Sequence, residues 1–369
     1  MIRFAWKSLW LEKTRLALST GGIALAILVI LLIEGVFAGV EEQATAYIDK
    51  GRADIFVMQE GVANLHMASS FLSPAIENGI NDIEGVKKAV GITYSNTAAE
   101  IGGNRIFSYI IGFDPQEPFG GPWEMSTGTQ DISPDEVVLD KIIAAQNGVG
   151  LGDEIKVMGR SFKIAGLSQD TFSIVSSITF LRKATVAELN QRPQSINYVL
   201  VQTEPGSDPK SVARRIEQRF KINALKQEEF SQSDRLMIRK MGVDIILAMS
   251  FIGLVIGLAV IGVTLYTSTL DRFRDYGILK AVGASRFQLY TTVAVQSLIT
   301  SLLGFAAGLL LAYLSKFAVA AIFPELLIVL PPRAVTEAFV AVLTVSFLAT
   351  IIPVRLIDTV DPMVVFEGA

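Results

Sequence analysis

The sequence predicts an α-helical membrane protein with four transmembrane helices and an α+β domain inserted between helices 1 and 2. Two observations carry this. The apolar residues, 51% of the chain, are concentrated at its two ends, while the middle has ordinary globular composition. The ends resolve into uncharged runs of the length that spans a bilayer core, roughly 20 residues as helix. The division is residues 1–40, an amphipathic segment and the first span; 41–240, the inserted domain with helical stalks; and 241–369, the remaining three spans with a connector and tail. The middle segment is large enough for a core of its own.

Met1–Arg15 alternates Phe4, Trp6, Leu9, Trp10 and Leu11 with Arg3, Lys7, Lys13 and Arg15. That pattern suits a helix lying in the lipid interface. Leu16–Ile33 is uncharged and continues as Gly35–Val40 after Glu34. The run is too long for a signal peptide and its small-residue cleavage pattern is poor, so it reads as a retained span. Past Glu41 the chain turns polar but stays helical to about Lys50, with Ala44, Tyr47 and Ile48 on one face, which makes a stalk.

In the middle, Ala53–Gln59, Gly91–Ala99, Arg105–Phe113, Glu136–Leu139 and Tyr198–Gln202 read as strands. Glu154–Met158 and Phe162–Leu167 read as a hairpin across Gly159-Arg160-Ser161. Helices are predicted over Ile76–Val90, Lys141–Asn147, Phe180–Gln191 and Asp208–Phe220, the last started by Asp208-Pro209. Asp114–Pro134 reads as a loop. Short strands mixed with helices give an α+β domain. Ser231–Met241, including Leu236 and Met237, leads into the second span as a second stalk.

Two long uncharged runs, Ile245–Leu270 and Phe287–Ser315, flank the connector Asp271–Arg286. Within it Ile278, Leu279 and Val282 form one apolar face of a short helix, with Leu279 at its centre. Arg274, Asp275, Lys280 and Arg286 supply a charged rim, and Gly283 stops the helix before Ala284-Ser285. Pro331-Pro332 orients the fourth span, Ala338–Val354. Four spans place both termini on one side and the large domain on the other. The bases of the N-terminus and connector favour that side as cytoplasmic, although Arg235, Arg239 and Lys240 oppose the bias.

The chemistry-bearing residues are sparse. With no cysteine and His66 as the only histidine, a zinc site is disfavoured, and His66 reads as a surface or locally hydrogen-bonded residue. No Gly-x-Ser-x-Gly elbow and no Gly-x-x-x-x-Gly-Lys-[Ser/Thr] loop occurs, so nothing marks an enzyme or an ATP site. Glu34 sits near the outer end of its span, where it can stay solvated. Gly253, Gly257, Gly262, Gly304 and Gly308 offer faces for close helix packing. The slightly acidic balance, a net charge of −4, argues against a nucleic-acid partner.

Asp275-Tyr276-Gly277-Ile278-Leu279-Lys280-Ala281-Val282-Gly283-Ala284-Ser285 resembles the acidic-x-Gly-x-Leu-[Lys/Arg]-Ala-x-Gly-Ala signature of the FtsX/MacB/LolC-LolE class of ABC transporter permeases, with DevC among its relatives. Asp275 stands where that signature usually has Glu. The opening Trp-Lys-Ser-Leu-Trp and the ending Pro353-Val354-Arg355 then Asp361-Pro362 are similar to the same class, as is Glu136-Val137-Val138-Leu139 with the hairpin after it. The resemblance implies a non-catalytic permease subunit in a bacterial inner membrane. It implies that the connector is a cytoplasmic coupling helix. ATP and magnesium would bind a separate ATPase subunit, in contrast to MacB, where the ATPase is fused. A second, identical permease and a membrane-fusion protein are the further partners it implies. Motion of the coupling helices would pass along the stalks to the outer domains and extrude a lipid, lipoprotein or hydrophobic compound. A regulator similar to FtsX, activating an outer partner without transport, is the alternative.

Overall fold

The computed structural model describes residues 13–66, 69–172, 177–193, 195–271, 273–323, 326–351 and 354–355. The amphipathic opening before Lys13 and the Asp361-Pro362 ending lie outside the described residues. The chain forms two compact units, one of residues Gly39–Met241 and one of the flanking segments up to Ala38, Gly242–Phe323 and from Leu327 on.

The mixed unit is organised around one long strand. Its elements in order are the end of helix α1 (Lys13–Lys50), β1 (Ile55–Met58), α2 (Pro74–Asn81), β2 (Val86–Ile101), β3 (Asn104–Phe113), β4 (Met125–Gly128), β5 (Glu136–Asp140) and α3 (Lys141–Gln146). Then come β6 (Glu154–Val157), β7 (Arg160–Ser168), β8 (Ser177–Arg182), α4 (Lys183–Leu189), β9 (Tyr198–Thr203), α5 (Pro209–Phe220), β10 (Asn223–Lys226) and the start of α6 (Gln227–Asp271). The first half of β2 pairs with β9, which pairs with β1, which pairs with β10, all antiparallel. The second half pairs with β3 and β6. From β3 the ladder continues to β8, β5 and β7, and β7 returns to β6, so these strands close into a ring.

Each face has its own core. Val57, Ile80, Val86, Ala89, Val199, Val201, Val212 and Ile216 fill the layer between the β10-β1-β9-β2 sheet and helices α2 and α5. The opposite face carries Phe56, Val90, Ile92, Tyr198 and Leu200, which cluster with Tyr47 and Ile48 of α1 and Phe230 of α6. Phe230 stacks on Phe56 with ring centroids 5.0 Å apart. A third cluster, including Ile101, Ile110, Leu139, Val157, Phe162 and Leu181, comes from the strands of the ring with α3 and α4.

Five expectations change. The helix expected over Ile76–Val90 stops at Asn81. Gly85 takes φ +89°, and Val86–Val90 joins the sheet because its apolar residues find partners on β9. Phe180–Arg182, expected in a helix, is the end of strand β8; only Lys183–Leu189 is helical. Asp114–Pro134 is not all loop, since Met125–Gly128 pairs with β7. Strand β10 was not expected. The hairpin at Met158-Gly159 is tighter than expected, with both residues at positive φ, as a two-residue turn requires.

In the helical unit, α1 and α6 are joined by α7 (Phe273–Ala281), α8 (Arg286–Ile322) and α9 (Pro332–Ala349). Among the described residues three helices are long and apolar enough to cross a membrane: Leu16–Lys50, Arg286–Ile322 and Pro332–Ala349. The expected second span falls within α6, where the described apolar stretch is the shorter Phe251–Val260. Pro332 occupies the first turn of α9, where its missing N–H costs nothing.

Three of the five glycines are packing glycines. A Cβ on Gly253 would stand 2.7 Å from Ile30, one on Gly304 2.6 Å from Ile23, and one on Gly308 2.7 Å from the Ala24 carbonyl. These close approaches let α6 and α8 lie against α1. Gly257 would meet only Val345 at 4.0 Å, and Gly262 meets nothing, so neither is needed for an approach.

Candidate functional site: paired stalks and a capped elbow

The stalk segments are clamped to each other by side chains four residues apart on α6. Arg239 reaches Glu41 with Nε at 2.8 Å and Nη2 at 3.2 Å, and Arg235 Nη2 reaches Asp49 Oδ2 at 2.6 Å. Glu41 is only 10% exposed, so its charge is mostly removed from water and Arg239 is what compensates it. The end of the first stalk is also held. Gln227 Nε2 donates to the carbonyls of Ile48 and Asp49, which the helix terminus leaves without intrahelical partners. Tyr47 and Ile48 are fully buried, Met237 is half-buried and Leu236 is exposed. Arg235 and Arg239, which opposed the charge bias, are thus matched by acids on the first stalk.

Of the two readings of His66, the surface one is overturned. The His66 side chain is 8% exposed, its ring lies edge-on to Tyr109, and Nδ1 is 3.2 Å from Asp234, a fully buried carboxylate on α6. Both Asp234 oxygens accept from the Leu65 N–H at 3.1 Å. The loop carrying His66 is thereby tied to the second stalk.

The connector forms the expected short helix. Gly283 takes φ +99°, and the Ala284 N–H bonds back to the Leu279 carbonyl at 2.9 Å, a left-handed helix end that favours glycine. Ser285 then starts α8 with a capping box: its side chain accepts from the Gln288 N–H, and the Gln288 side chain accepts from the Ser285 N–H. Two helices meeting at two successive caps make a defined elbow.

The apolar face of the elbow differs from the expected one. Leu279 is half-buried, packed with Ala284 and Tyr290 against Leu289 and Val293 of α8, so it holds the elbow together. Ile278 is 46% exposed, Val282 83% and Phe287 78%. Phe287, which sequence reasoning did not single out, is therefore part of the open apolar surface. Gly277 is buried, Lys280 half-buried, and Arg286 exposed. Arg274, Asp275 and Tyr276 lie on α7, and their side chains are outside what the structure describes.

A cavity of about 410 Å³ lies within the helical unit, lined mainly by apolar residues such as Ile27, Ile30, Phe251, Ala338 and Val342. Glu34 and Glu337 are the carboxylates in its wall. Among the described residues no group of His, Cys, Asp and Glu could hold a metal ion.

Comparison with known proteins agrees with a long-helix membrane unit carrying an inserted mixed domain. The profile of the "MacB-like periplasmic core domain" matches residues 16–219, and that of the "FtsX-like permease C-terminal" matches 247–362. An uncharacterised ABC transporter permease of Mycobacterium bovis is 23% identical over the full length of both chains. One of Methanocaldococcus jannaschii is 24% identical over all of this chain and 98% of its own. The pyoverdine export ATP-binding/permease protein PvdT of Pseudomonas syringae is 21% identical over 98% of this chain and 58% of its own. The periplasmic region of MacB from Actinobacillus actinomycetemcomitans superposes on 50% of this chain and 94% of its own, with a TM-score of 0.39 and 14% identity. The chain defines itself as an ABC transporter permease. It belongs to the FtsX/MacB family of such permeases.

Proposed function

We propose that this chain is the membrane subunit of an ABC exporter whose ATPase is a separate protein. The elbow at α7 is its cytoplasmic docking point, with Ile278, Val282 and Phe287 entering a groove on the ATPase. ATP and magnesium bind that partner, and this chain hydrolyses nothing. Four spans, the second within α6, place the mixed domain outside the inner membrane of a bacterium. Two copies of the permease act with two ATPases. Closure of the ATPases pushes the elbows, and α1 and α6, each an unbroken helix, carry the displacement to the outer domain. The cargo is a lipid, lipoprotein or hydrophobic compound handled at the outer leaflet or beyond it.

The observation that carries this reading is the elbow: a turn fixed by Gly283 and Ser285 that leaves Ile278 of α7, Val282 just past its end and Phe287 of α8 in the open. Exposed apolar groups on a rigid projection are what a protein groove takes up. The mutual clamping of the stalks through Glu41–Arg239 and Asp49–Arg235 supports their use as one lever. The export named for the pyoverdine relative supports the direction of transport. The test is reconstitution with the ABC ATPases encoded in the same genome. Val282→Asp should abolish co-purification and ATPase stimulation by one of them while the permease still inserts. Unchanged stimulation would refute the docking role.

A further inference from the structure

The outer end of the first stalk carries a second concave feature, separate from the elbow. A cavity of about 170 Å³ is lined by Lys50, Gly51, Arg52, Gln130 and Trp123, and by the backbone-rich segment Pro118–Pro122. No carboxylate lines it. Lys50 shares its charge with Asp170, whose Oδ2 lies 3.3 Å from Nζ on the half-exposed rim. The Arg52 guanidinium takes part in none of the ion pairs seen among the described residues and is exposed.

The backbone at Arg52 is held in an unusual state. Its φ is +59°, the left-handed region that costs a non-glycine residue energy. Its carbonyl is pinned by the Gln202 side-chain amide at 2.7 Å. The chain therefore keeps a cation at the mouth of the cavity in a conformation that glycine or asparagine would adopt more cheaply. In the cavity wall, the Trp123 Nε1–H is buried with no acceptor. Gln130 adds a side-chain amide. The lining thus offers cations and N–H donors and no carboxylate of its own, and only Lys50 is answered by one, Asp170 beside the cavity.

We infer that this cavity binds a small oxyanion, the carboxylate or phosphate group of a solute met by the mixed domain. Arg52 supplies a planar donor fork suited to two oxygens, and Lys50 supplies a point charge. The volume admits the anionic group and a few attached atoms. Occupancy would be felt by the first stalk, because Lys50 ends α1 and Tyr47, three residues earlier, donates its hydroxyl to the Gly120 carbonyl in the cavity wall at 2.8 Å.

The experiment uses the full chain with Trp6→Phe and Trp10→Phe, which leaves Trp123 as the sole tryptophan. Inorganic phosphate and acetate are titrated separately, with sodium chloride at matched ionic strength as the control. Binding is read by Trp123 fluorescence and by calorimetry. One of the two anions should give a saturable response that chloride does not, and which one responds distinguishes phosphate from carboxylate. Arg52→Asn removes the charge while tolerating the left-handed backbone, and should weaken binding roughly tenfold or more. Lys50→Gln should weaken it less. Absence of saturable binding by both readouts, the same response to chloride, or equal affinity in wild type and Arg52→Asn would overturn the site. None of these results depends on an ATPase, so the elbow reading stands or falls apart from this one.

Discussion

Arg239 grips Glu41 with both Nε and Nη2, the only two-point ion pair between the stalk segments among the described residues. Its strength comes from the burial of Glu41, since an equally close pair in water would contribute little. Arg239→Ala should lower stability by about 1–3 kcal/mol by leaving that carboxylate short of donors. The charge-reversed pair Glu41→Arg with Arg239→Glu should recover part of the loss. A double-mutant cycle on thermal unfolding measures it, and a coupling energy near zero would show that the pair does not clamp the stalks.

Met237 lies between Arg235 and Arg239 on the helix that would act as the lever. A proline in a helix interior costs about 3 kcal/mol or more and kinks it. Met237→Pro should leave ATPase binding intact and abolish transport. Normal transport by a well-expressed variant would mean the stalk transmits nothing.

Leu279 and Val282 separate folding of the elbow from docking. Leu279→Asp places a charge against Leu289 and Val293 and should destabilise the elbow itself, seen as increased proteolysis between α6 and α8. Val282 is 83% exposed, so Val282→Asp should leave proteolysis unchanged and weaken only the ATPase. Equal proteolysis of the two variants would remove the distinction.

Cysteine labelling tests the sidedness. The chain has no cysteine, so single substitutions at the exposed Ser126 and Val282 report without background. An impermeant reagent on intact cells should label position 126 and not 282. The reverse pattern would invert the topology.

Asp140 caps α3 from a buried position. Burial raises its pKa, against the opposing pull of hydrogen bonds from the Thr171 hydroxyl and the Ile142 and Thr171 N–H groups. The folded chain holds this proton more tightly than the unfolded chain does. Its contribution to stability is therefore greatest below the ordinary aspartate value, about 3.9, and falls as pH rises through the raised folded value. Asp140→Asn should flatten that part of the stability–pH curve, and thermal unfolding across the acid range checks it. An unchanged curve would mean the carboxyl titrates normally.

The parts of the fold with local punctuation were legible in the sequence. Asp208-Pro209 starts α5, with Asp208 capping the Lys210 and Ser211 N–H groups, and Gly283 ends α7. Phe180-Leu181-Arg182 misled because β8 lies between β3 and β5, buried on both faces, so its side chains show no alternation to set it apart from a helix. Strand β10 is four residues long and exists through pairing with β1. At the elbow the motif was readable but the inward turn of Leu279 was not, because Leu289 and Val293 reach it only once α8 folds back. The stalk clamp was hidden for a similar reason. Arg235 and Asp49 are 186 residues apart, and nothing in either segment names the other as its partner.

The pairing of β1 also sets the order in which the mixed domain can be completed during synthesis. Ile55 finds its neighbours in Val201 and Lys226, so the first strand made waits for the last ones. Until β9 and β10 emerge, β1 and the first half of β2 have unpaired edges, which can pair with other chains. Assembly of this layer is governed by contacts distant in sequence, which close slowly. A nascent chain truncated before Asn223 would lack β10 and the stalk that follows it, and would present an open edge to quality control.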